Sequence, residues 1–166
     1  MKKIKESDMR RRVDACFQRN DLRCIYGREI NEQLTYHLGR ALVSFLKCKK
    51  IIVGHDMRTS SSSLCSSLVR GILEAGADVV HLGLIDTPAL YFASGFWKLP
   101  GVMITASHNP AKYNGFKIIK SGALPIGEDS GLEELKKIIC RQDLKKAGKR
   151  GRVVYHDIRG VYSRYL

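Results

Sequence analysis

The sequence lacks any apolar run that approaches the roughly 20 residues of a membrane-spanning helix. Residues 1–17 begin with lysines but lead into no apolar segment, so we expect no secretory signal. We therefore predict a cytoplasmic protein without a membrane partner.

The sequence also lacks closely paired cysteines. Five cysteines are present with no C-x-x-C pair among them, at positions 16, 24, 48, 65 and 140. Zinc sites and disulfide frameworks use closer, paired spacing. We therefore expect free, reduced thiols, as is usual in the cytosol.

Acidic residues are scarce. The sequence has 16 Asp and Glu residues and 29 Lys and Arg residues, which gives a net charge of +13. Residues 1–12 hold six basic and two acidic residues, and residues 136–152 hold eight and one. Most of the excess charge therefore lies at the two ends. We expect these charges to be solvated, and the alternative is weak binding to a polyanion such as RNA. No aromatic interleaving or zinc spacing accompanies it, so we do not expect nucleic acid as a partner.

Helical and strand patterns alternate through most of the chain. Helices are predicted at residues 33–45, 64–75 and 87–97, with a last one starting near residue 128. Thr87 is expected at the cap of the third helix and Pro88 in its first turn, and the serines before residue 64 can cap the second. Strands are predicted at residues 50–54, 78–83, 101–105 and 115–119. This alternation indicates the α/β class, as a three-layer α/β/α domain with a mixed, mostly parallel sheet.

A polar loop separates two apolar runs in GVMITASHNPAKYNGFKII, residues 101–119. Ser107 follows the first run closely, and ligands of open α/β sheets bind at the carboxyl ends of strands. Three interpretations compete. The loop is only a turn, because Ser, Asn and Pro form turns; or Ser107 is a hydrolase nucleophile; or Ser107 carries a phosphoryl group.

The hydrolase interpretation requires a base beside Ser107. His108 is a poor candidate, because adjacent side chains in extended backbone point apart. The G-x-S-x-G elbow is also absent. A serine that carries a phosphoryl group instead requires positive charge nearby, which Lys117 and His108 could supply.

The loop resembles the active-site loop of the α-D-phosphohexomutases, the phosphomannomutase/phosphoglucomutase group, in T-A-S-H-N-P followed by N-G-F-K. Further stretches are similar to family motifs in the same order: FQRNDLRCIYG to F-x-x-Y-D-I-R-G, VGHDMRTSS to V-G-R-D-x-R-x-S-S, and GLIDTPALYFA to G-x-x-x-T-P-x-x-Y-x-A. The resemblance implies that residues 17–152 are the family's first, phosphoserine-bearing domain. Residues 1–16 would be a basic N-terminal extension, and residues 153–166 a linker and the start of a truncated second domain.

The resemblance implies an isomerase, an intramolecular phosphotransferase acting on a hexose phosphate. Ser107 matches the phosphoserine that gives its phosphoryl group to a hexose 1- or 6-phosphate and takes one back from the bisphosphosugar. Arg23 and Lys117 match positions near the phosphate, and His108 matches the residue beside the serine. Lys117 would be a proton acceptor or a fixed charge.

The resemblance also implies Mg²⁺, held by phosphorylated Ser107 and by aspartates of a second domain, with a hexose 1,6-bisphosphate as activator. The family's metal loop, sugar loop and phosphate clamp do not occur in these 166 residues. We therefore expect the chain to be inactive alone, with a hexose phosphate as substrate and the missing domains, on a separate chain, as a partner. The alternative is a non-catalytic relic of the domain that binds a polyanion or a protein.

Three positions depart from the family motifs. Asn20 stands where the family has Tyr, Cys24 where it has Gly, and His55 where it has Arg. A glycine often serves an unusual backbone angle. A cysteine at position 24 is therefore expected to change the local backbone geometry around Arg23.

Overall fold

The computed structural model describes residues 4–142, 144 and 147–166. The helices found there are α1 (Glu6–Cys16), α2 (Glu32–Leu46), α3 (Ser61–Glu74), α4 (Thr87–Trp97), α5 (Leu132–Arg141) and α6 (Arg159–Tyr165). The strands are β1 (Leu22–Ile25), β2 (Lys50–His55), β3 (Asp78–Leu84), β4 (Gly101–Ile104), β5 (Tyr113–Lys120), β6 (Leu124–Pro125) and β7 (Val153–Tyr155). None of the described helices combines the length and apolar character needed to cross a membrane.

The strands form one sheet in the order β1-β5-β4-β2-β3-β7, with β6 beside β5. The pairings of β2 with β3, β2 with β4 and β3 with β7 are parallel, and the other three are antiparallel. The parallel strands are connected through helices, whereas a loop without a helix joins β4 to β5 and reverses the chain direction. The predicted α/β class with a mixed sheet is confirmed.

Helices cover both faces of the sheet. One hydrophobic cluster lies on the side of α1, α2, α3 and α5, and a smaller one on the side of α4 and α6. Ile51 and Val53 of β2 belong to the larger cluster and Ile52 to the smaller, because successive strand residues point to opposite faces. All three are fully buried, as a strand covered on both faces requires. The predicted three-layer arrangement is confirmed.

The helix α4 begins one residue earlier than its predicted cap implied. Asp86 is the N-cap residue, and its carboxylate accepts a hydrogen bond from the Ala89 amide at 2.9 Å. Thr87, the predicted cap, is the first helical residue instead, because the Asp86 side chain already satisfies the free amide. Pro88 lies in the first turn, as predicted.

The N-terminal segment contributes to the core. Within residues 1–16, the described part holds α1, and residues 1–3 lie outside the described residues. Met9, Val13 and Cys16 are fully buried along one side of this helix. A spacing of three to four residues places them on one helical face, against the larger cluster.

The C-terminal segment, residues 153–166, also contacts this domain. Its strand β7 pairs in parallel with β3, and its helix α6 packs on α4. Phe92 of α4 and Tyr162 of α6 have ring centroids 5.3 Å apart. The sheet therefore includes a strand that follows the last predicted helix along the chain.

The expectation of free thiols is wrong for one pair. Cys16 and Cys24 are joined as a disulfide, whereas the other three cysteines are free. An antiparallel bridge between Phe17 and Leu22 folds the end of α1 onto the start of β1, so the two cysteine Cα atoms lie 4.8 Å apart. That separation suits a disulfide. Cys24 has no positive φ, so an ordinary strand backbone carries Arg23.

Candidate functional site

The Ser107 loop, residues 105–112, joins β4 to β5 at the carboxyl ends of β2 and β4. Ile104 pairs with His55, and the Asp56 amide donates to the Ile104 carbonyl at 3.0 Å. Ligands of open α/β sheets bind at this edge. Ser107 is exposed there.

The loop backbone turns sharply at Ser107, whose φ of +55° is in the left-handed region. This conformation is uncommon for a residue other than glycine. The Ser107 amide donates to the Thr105 hydroxyl at 2.9 Å, and the Asn109 amide donates to the Ala106 carbonyl at 3.1 Å. Short-range hydrogen bonds on both sides of Ser107 therefore support the turn.

The turn also brings the Ser107 and His108 side chains together. Their Oγ and Nδ1 atoms lie 3.4 Å apart. Our expectation that the two side chains point apart assumed extended backbone, and it is wrong because Ser107 is left-handed. A separation of 3.4 Å is long for a hydrogen bond. Among the described residues no carboxylate bonds to His108, so the third group of a hydrolase triad is not found there.

Arg23 and Lys117 share one carboxylate. The Arg23 guanidinium donates from Nε to both oxygens of Asp21, at 3.1 and 3.0 Å, and its second terminal nitrogen lies 3.0 Å from Oδ2. The Lys117 ammonium donates to the same Oδ2 at 3.2 Å. Asp21 is buried while both cations are partly exposed. Two positive charges around one negative charge leave an excess of positive charge at this point.

Strand register explains why these two cations meet. Arg23 of β1 pairs with Gly115 of β5, and Lys117 is two residues farther along β5. Paired residues, and residues two apart on a strand, lie on the same face of a sheet. A Cβ atom at Gly115 would lie 1.8 Å from the Leu22 carbonyl oxygen, so only glycine permits this close approach of β1.

A direct contact links these cations to the Ser107 loop. A terminal nitrogen of Arg23 donates to the Asn109 side-chain oxygen at 3.1 Å. A continuous set of hydrogen bonds therefore runs from Lys117 through Asp21 and Arg23 to Asn109, two residues from Ser107. Arg23 therefore contacts the loop that carries Ser107 and His108, and Lys117 is linked to that loop through Asp21 and Arg23.

Sequence reasoning assigned no role to Asp21 or Arg58. Asp21 joins the two cations, and Arg58 donates to backbone carbonyls of the Ser107 loop. Both residues stand inside motifs that carried the resemblance, in NDLR and in VGHDMR. Their presence in those motifs was the available signal, but their contacts depend on the tertiary structure.

Asn114 anchors the end of the loop inside the protein. It is fully buried, and its amide nitrogen donates to the Ser60 and Ser61 hydroxyls at 2.8 and 3.0 Å. Its side-chain oxygen accepts from the Gly115 amide at 2.8 Å. We expected the serines before α3 to cap that helix. Ser60 is the N-cap residue, but its side chain makes no capping bond and binds Asn114 instead.

The described residues do not by themselves suit the Mg²⁺ site that the resemblance implies. No group of three or more His, Cys, Asp or Glu side chains that could hold a metal ion occurs among them. Asp21 is bound by Arg23 and Lys117, and Asp56 is bound by Arg58. Mg²⁺ prefers oxygen ligands in near-octahedral geometry, and Ser107 offers one hydroxyl oxygen.

Several basic side chains at the ends of the chain are paired internally. Arg11 and Arg12 contact Asp8 at 2.7 and 3.0 Å, and Lys136 contacts Asp14 at 2.7 Å. Positions 2, 3, 145 and 146, which are lysines, lie outside the described residues. These ion pairs neutralise part of the positive charge at the two ends.

Comparison with known proteins finds a family model that matches most of the chain. Residues 14–146 match the family model described as phosphoglucomutase/phosphomannomutase, alpha/beta/alpha domain I. The chain is 44% identical over 124 residues to a phosphomannomutase of Klebsiella pneumoniae, covering 74% of this chain and 79% of that protein. It is 38% identical over 154 residues to a phosphomannomutase of Escherichia coli, covering 91% of this chain and 34% of that protein.

A solved structure shows the same fold. A phosphoglucomutase/phosphomannomutase family protein from Burkholderia thailandensis superimposes with a TM-score of 0.81 at 29% identity. The match covers 89% of this chain and 34% of that protein. The chain therefore spans about a third of the E. coli and Burkholderia proteins, and most of the Klebsiella protein.

Proposed function

This chain belongs to the phosphoglucomutase/phosphomannomutase family, and we propose that it is the phosphoserine-bearing domain of a hexose phosphate mutase. Ser107 would carry the phosphoryl group. The observation that carries the proposal is the set of hydrogen bonds that joins Arg23 and Lys117 to the Ser107 loop through Asp21 and Asn109. A phosphoryl carrier requires fixed positive charge of this kind.

The proposed reaction has two transfers. First, a hydroxyl oxygen of the hexose phosphate attacks the phosphorus, the bond between phosphorus and Ser107 Oγ breaks, and the hydroxyl proton is passed to Oγ. This gives a hexose 1,6-bisphosphate and free serine. Second, Ser107 Oγ attacks the other phosphate, and its proton passes to the released sugar oxygen. The net result is an isomerised hexose monophosphate and a restored phosphoserine.

Arg23 and Lys117 would stabilise the charge on the phosphoryl group during both transfers. Lys117 donates to the Asp21 carboxylate, so we infer that it acts as a positioned positive charge. His108, whose Nδ1 lies 3.4 Å from Ser107 Oγ, would hold or return the serine proton.

Mg²⁺ belongs to the proposal as a prediction. Phosphorylated Ser107 would supply one oxygen ligand, and the remaining ligands would come from outside the described residues. Magnesium, when bound, would neutralise charge on the phosphate. The hexose phosphate substrate and the requirement for further domains of the family are predictions of the same kind.

The test uses a chimera in which this chain replaces the matching segment of the E. coli phosphomannomutase. Incubation with glucose 1,6-bisphosphate and Mg²⁺ should add one phosphate, which peptide mass spectrometry should locate at Ser107. Ser107→Ala should take up none, and Ser121→Ala, a change at an exposed serine elsewhere, should take up the normal amount. Labelling that persists in Ser107→Ala would remove the assignment.

A further inference from the structure

Arg58 lies three residues beyond β2, in the segment that leads to α3, and its guanidinium faces the backbone of the Ser107 loop. One terminal nitrogen donates to the Ser107 and Asn109 carbonyls at 2.8 and 2.7 Å. The other donates to the Pro110 and Tyr113 carbonyls, both at 3.0 Å. Three carbonyl oxygens of the Ser107 loop and that of Tyr113, the first residue of β5, therefore accept from a single side chain.

The remaining donor of Arg58 binds Asp56, from Nε to Oδ2 at 3.2 Å. A guanidinium has five N–H donors in a fixed planar arrangement. The five contacts match these five donors, so the structure leaves Arg58 no donor for a phosphate. Its charge is also balanced by Asp56, whereas Arg23 and Lys117 share one carboxylate.

Asp56 ties Arg58 to the rigid part of the domain. Its Oδ1 accepts from the Arg58 amide at 3.1 Å and from the Ser61 hydroxyl at 2.6 Å. Its own amide donates to the Ile104 carbonyl at 3.0 Å. Arg58 is therefore held between the end of β2, the end of β4 and the start of α3.

We propose that Arg58 is a positioning residue that holds the Ser107 loop in its left-handed turn and so orients Oγ for phosphoryl transfer. The proposal rests on the proposed function. The loop needs such support because Ser107 adopts a backbone conformation that residues other than glycine rarely adopt. Lysine cannot take this role, since its ammonium offers three donors from one point instead of a planar fork.

The first experiment measures amide hydrogen exchange in the chain itself, so it does not depend on activity. Arg58→Ala should lower protection of the Asn109 and Tyr113 amides by tenfold or more and leave the amides of β2 and β3 unchanged. Guanidinium ion, well below denaturing concentrations, should restore protection, whereas ethylammonium at the same concentration should not. Arg152→Ala is the matched control, because Arg152 is exposed and pairs only loosely with Asp78 at 3.9 Å.

The second experiment measures the rate of Ser107 phosphorylation in the chimera. Arg58→Lys, which keeps the charge, should lower the maximal rate by about 10²-fold, the cost of a small misplacement of a reacting group. The KM for the bisphosphate should change by less than about threefold. This variant also serves if Arg58→Ala does not fold, as judged by circular dichroism.

The outcomes separate the two hypotheses. Unchanged exchange at Asn109 and Tyr113 in Arg58→Ala, or a raised KM with an unchanged maximal rate in Arg58→Lys, would overturn the role of Arg58. A wild-type chimera that takes no phosphate at Ser107 would instead contradict the proposed function, whatever the exchange experiment shows.

Discussion

Lys117 reaches Asp21 across the sheet, with its ammonium nitrogen 3.2 Å from Oδ2, the same oxygen that Arg23 contacts at 3.0 Å. One buried carboxylate therefore sets the position of both cations. A buried charge is stable only when it is paired and hydrogen-bonded. Because Asp21 holds both cations, their positive charge has a defined position beside the Ser107 loop.

Asp21→Asn keeps the shape of this side chain but removes its charge. We expect the free energy of unfolding to fall by about 2 kcal/mol, the scale of a buried hydrogen bond to a charged group. Ser107 phosphorylation in the chimera should slow by about tenfold, since both cations lose their anchor. Urea denaturation and the phosphorylation assay measure the two effects. Asp157→Asn, at an exposed carboxylate, is the control and should change neither. Faster phosphorylation would show that Asp21 screens the cations rather than positions them.

Lys117→Met should lower turnover of the chimera by about 10²-fold, because one fixed positive charge near the moving phosphoryl group is lost. Lys117→Arg should retain more activity, since the charge remains. Lys120→Met, three residues along the same strand and exposed, should behave like wild type. Turnover near the wild-type value in Lys117→Met would show that Lys117 is not required.

Asn114→Ala should reduce the free energy of unfolding by about 3 kcal/mol. The change leaves the buried Gly115 amide without its acceptor and removes the bonds to two serines. Urea denaturation measures the loss. Asn20→Ala, at an exposed asparagine, provides the comparison and should cost much less. Equal losses in the two variants would contradict the anchoring role of Asn114.

The disulfide should determine which cysteines can be alkylated. Alkylation of the protein unfolded without reductant should label the three free cysteines, at positions 48, 65 and 140, and spare Cys16 and Cys24. Reduction before alkylation should add two labels. Five labels without reductant would show that Cys16 and Cys24 are thiols in solution.

We expect His81 to make the protein less stable in acid. Burial lowers the pKa of His81, and the neighbouring His55 lowers it further. Its Nδ1 accepts from the Gly83 amide at 3.0 Å, and protonation would remove that acceptor. The folded state therefore binds fewer protons than the unfolded state. As the pH falls below about 6.5, the ordinary histidine value, the free energy of unfolding should fall.

His81→Asn tests this, because an asparagine oxygen can accept from Gly83 without titrating. Thermal melts at pH 7.5 and 5.5 should show a smaller drop in stability for the variant than for wild type. The stability of the variant should still fall as the pH is lowered, since burial also lowers the pKa of His37. An identical drop in both proteins would contradict the prediction.

Local patterns predicted the central elements closely. The apolar periodicity at 33–45 corresponds to α2 at Glu32–Leu46, and the run at 50–54 corresponds to β2 at Lys50–His55. In contrast, α1 and β1 were not predicted. The helix α1 is rich in charge, with only one narrow buried side, and β1 is four residues long, too short for a periodic signal.

The sequence by itself determined the α/β class, the Ser107 loop at the end of a strand, and the motifs that carry the family resemblance. These are properties of neighbouring residues, because burial periodicity and turn chemistry act over a few positions. Only the tertiary structure decided which groups meet. Arg23 bonds to Asn109 across 86 residues, and Lys117 to Asp21 across 96. Such contacts depend on strand order and register, and no local pattern records them.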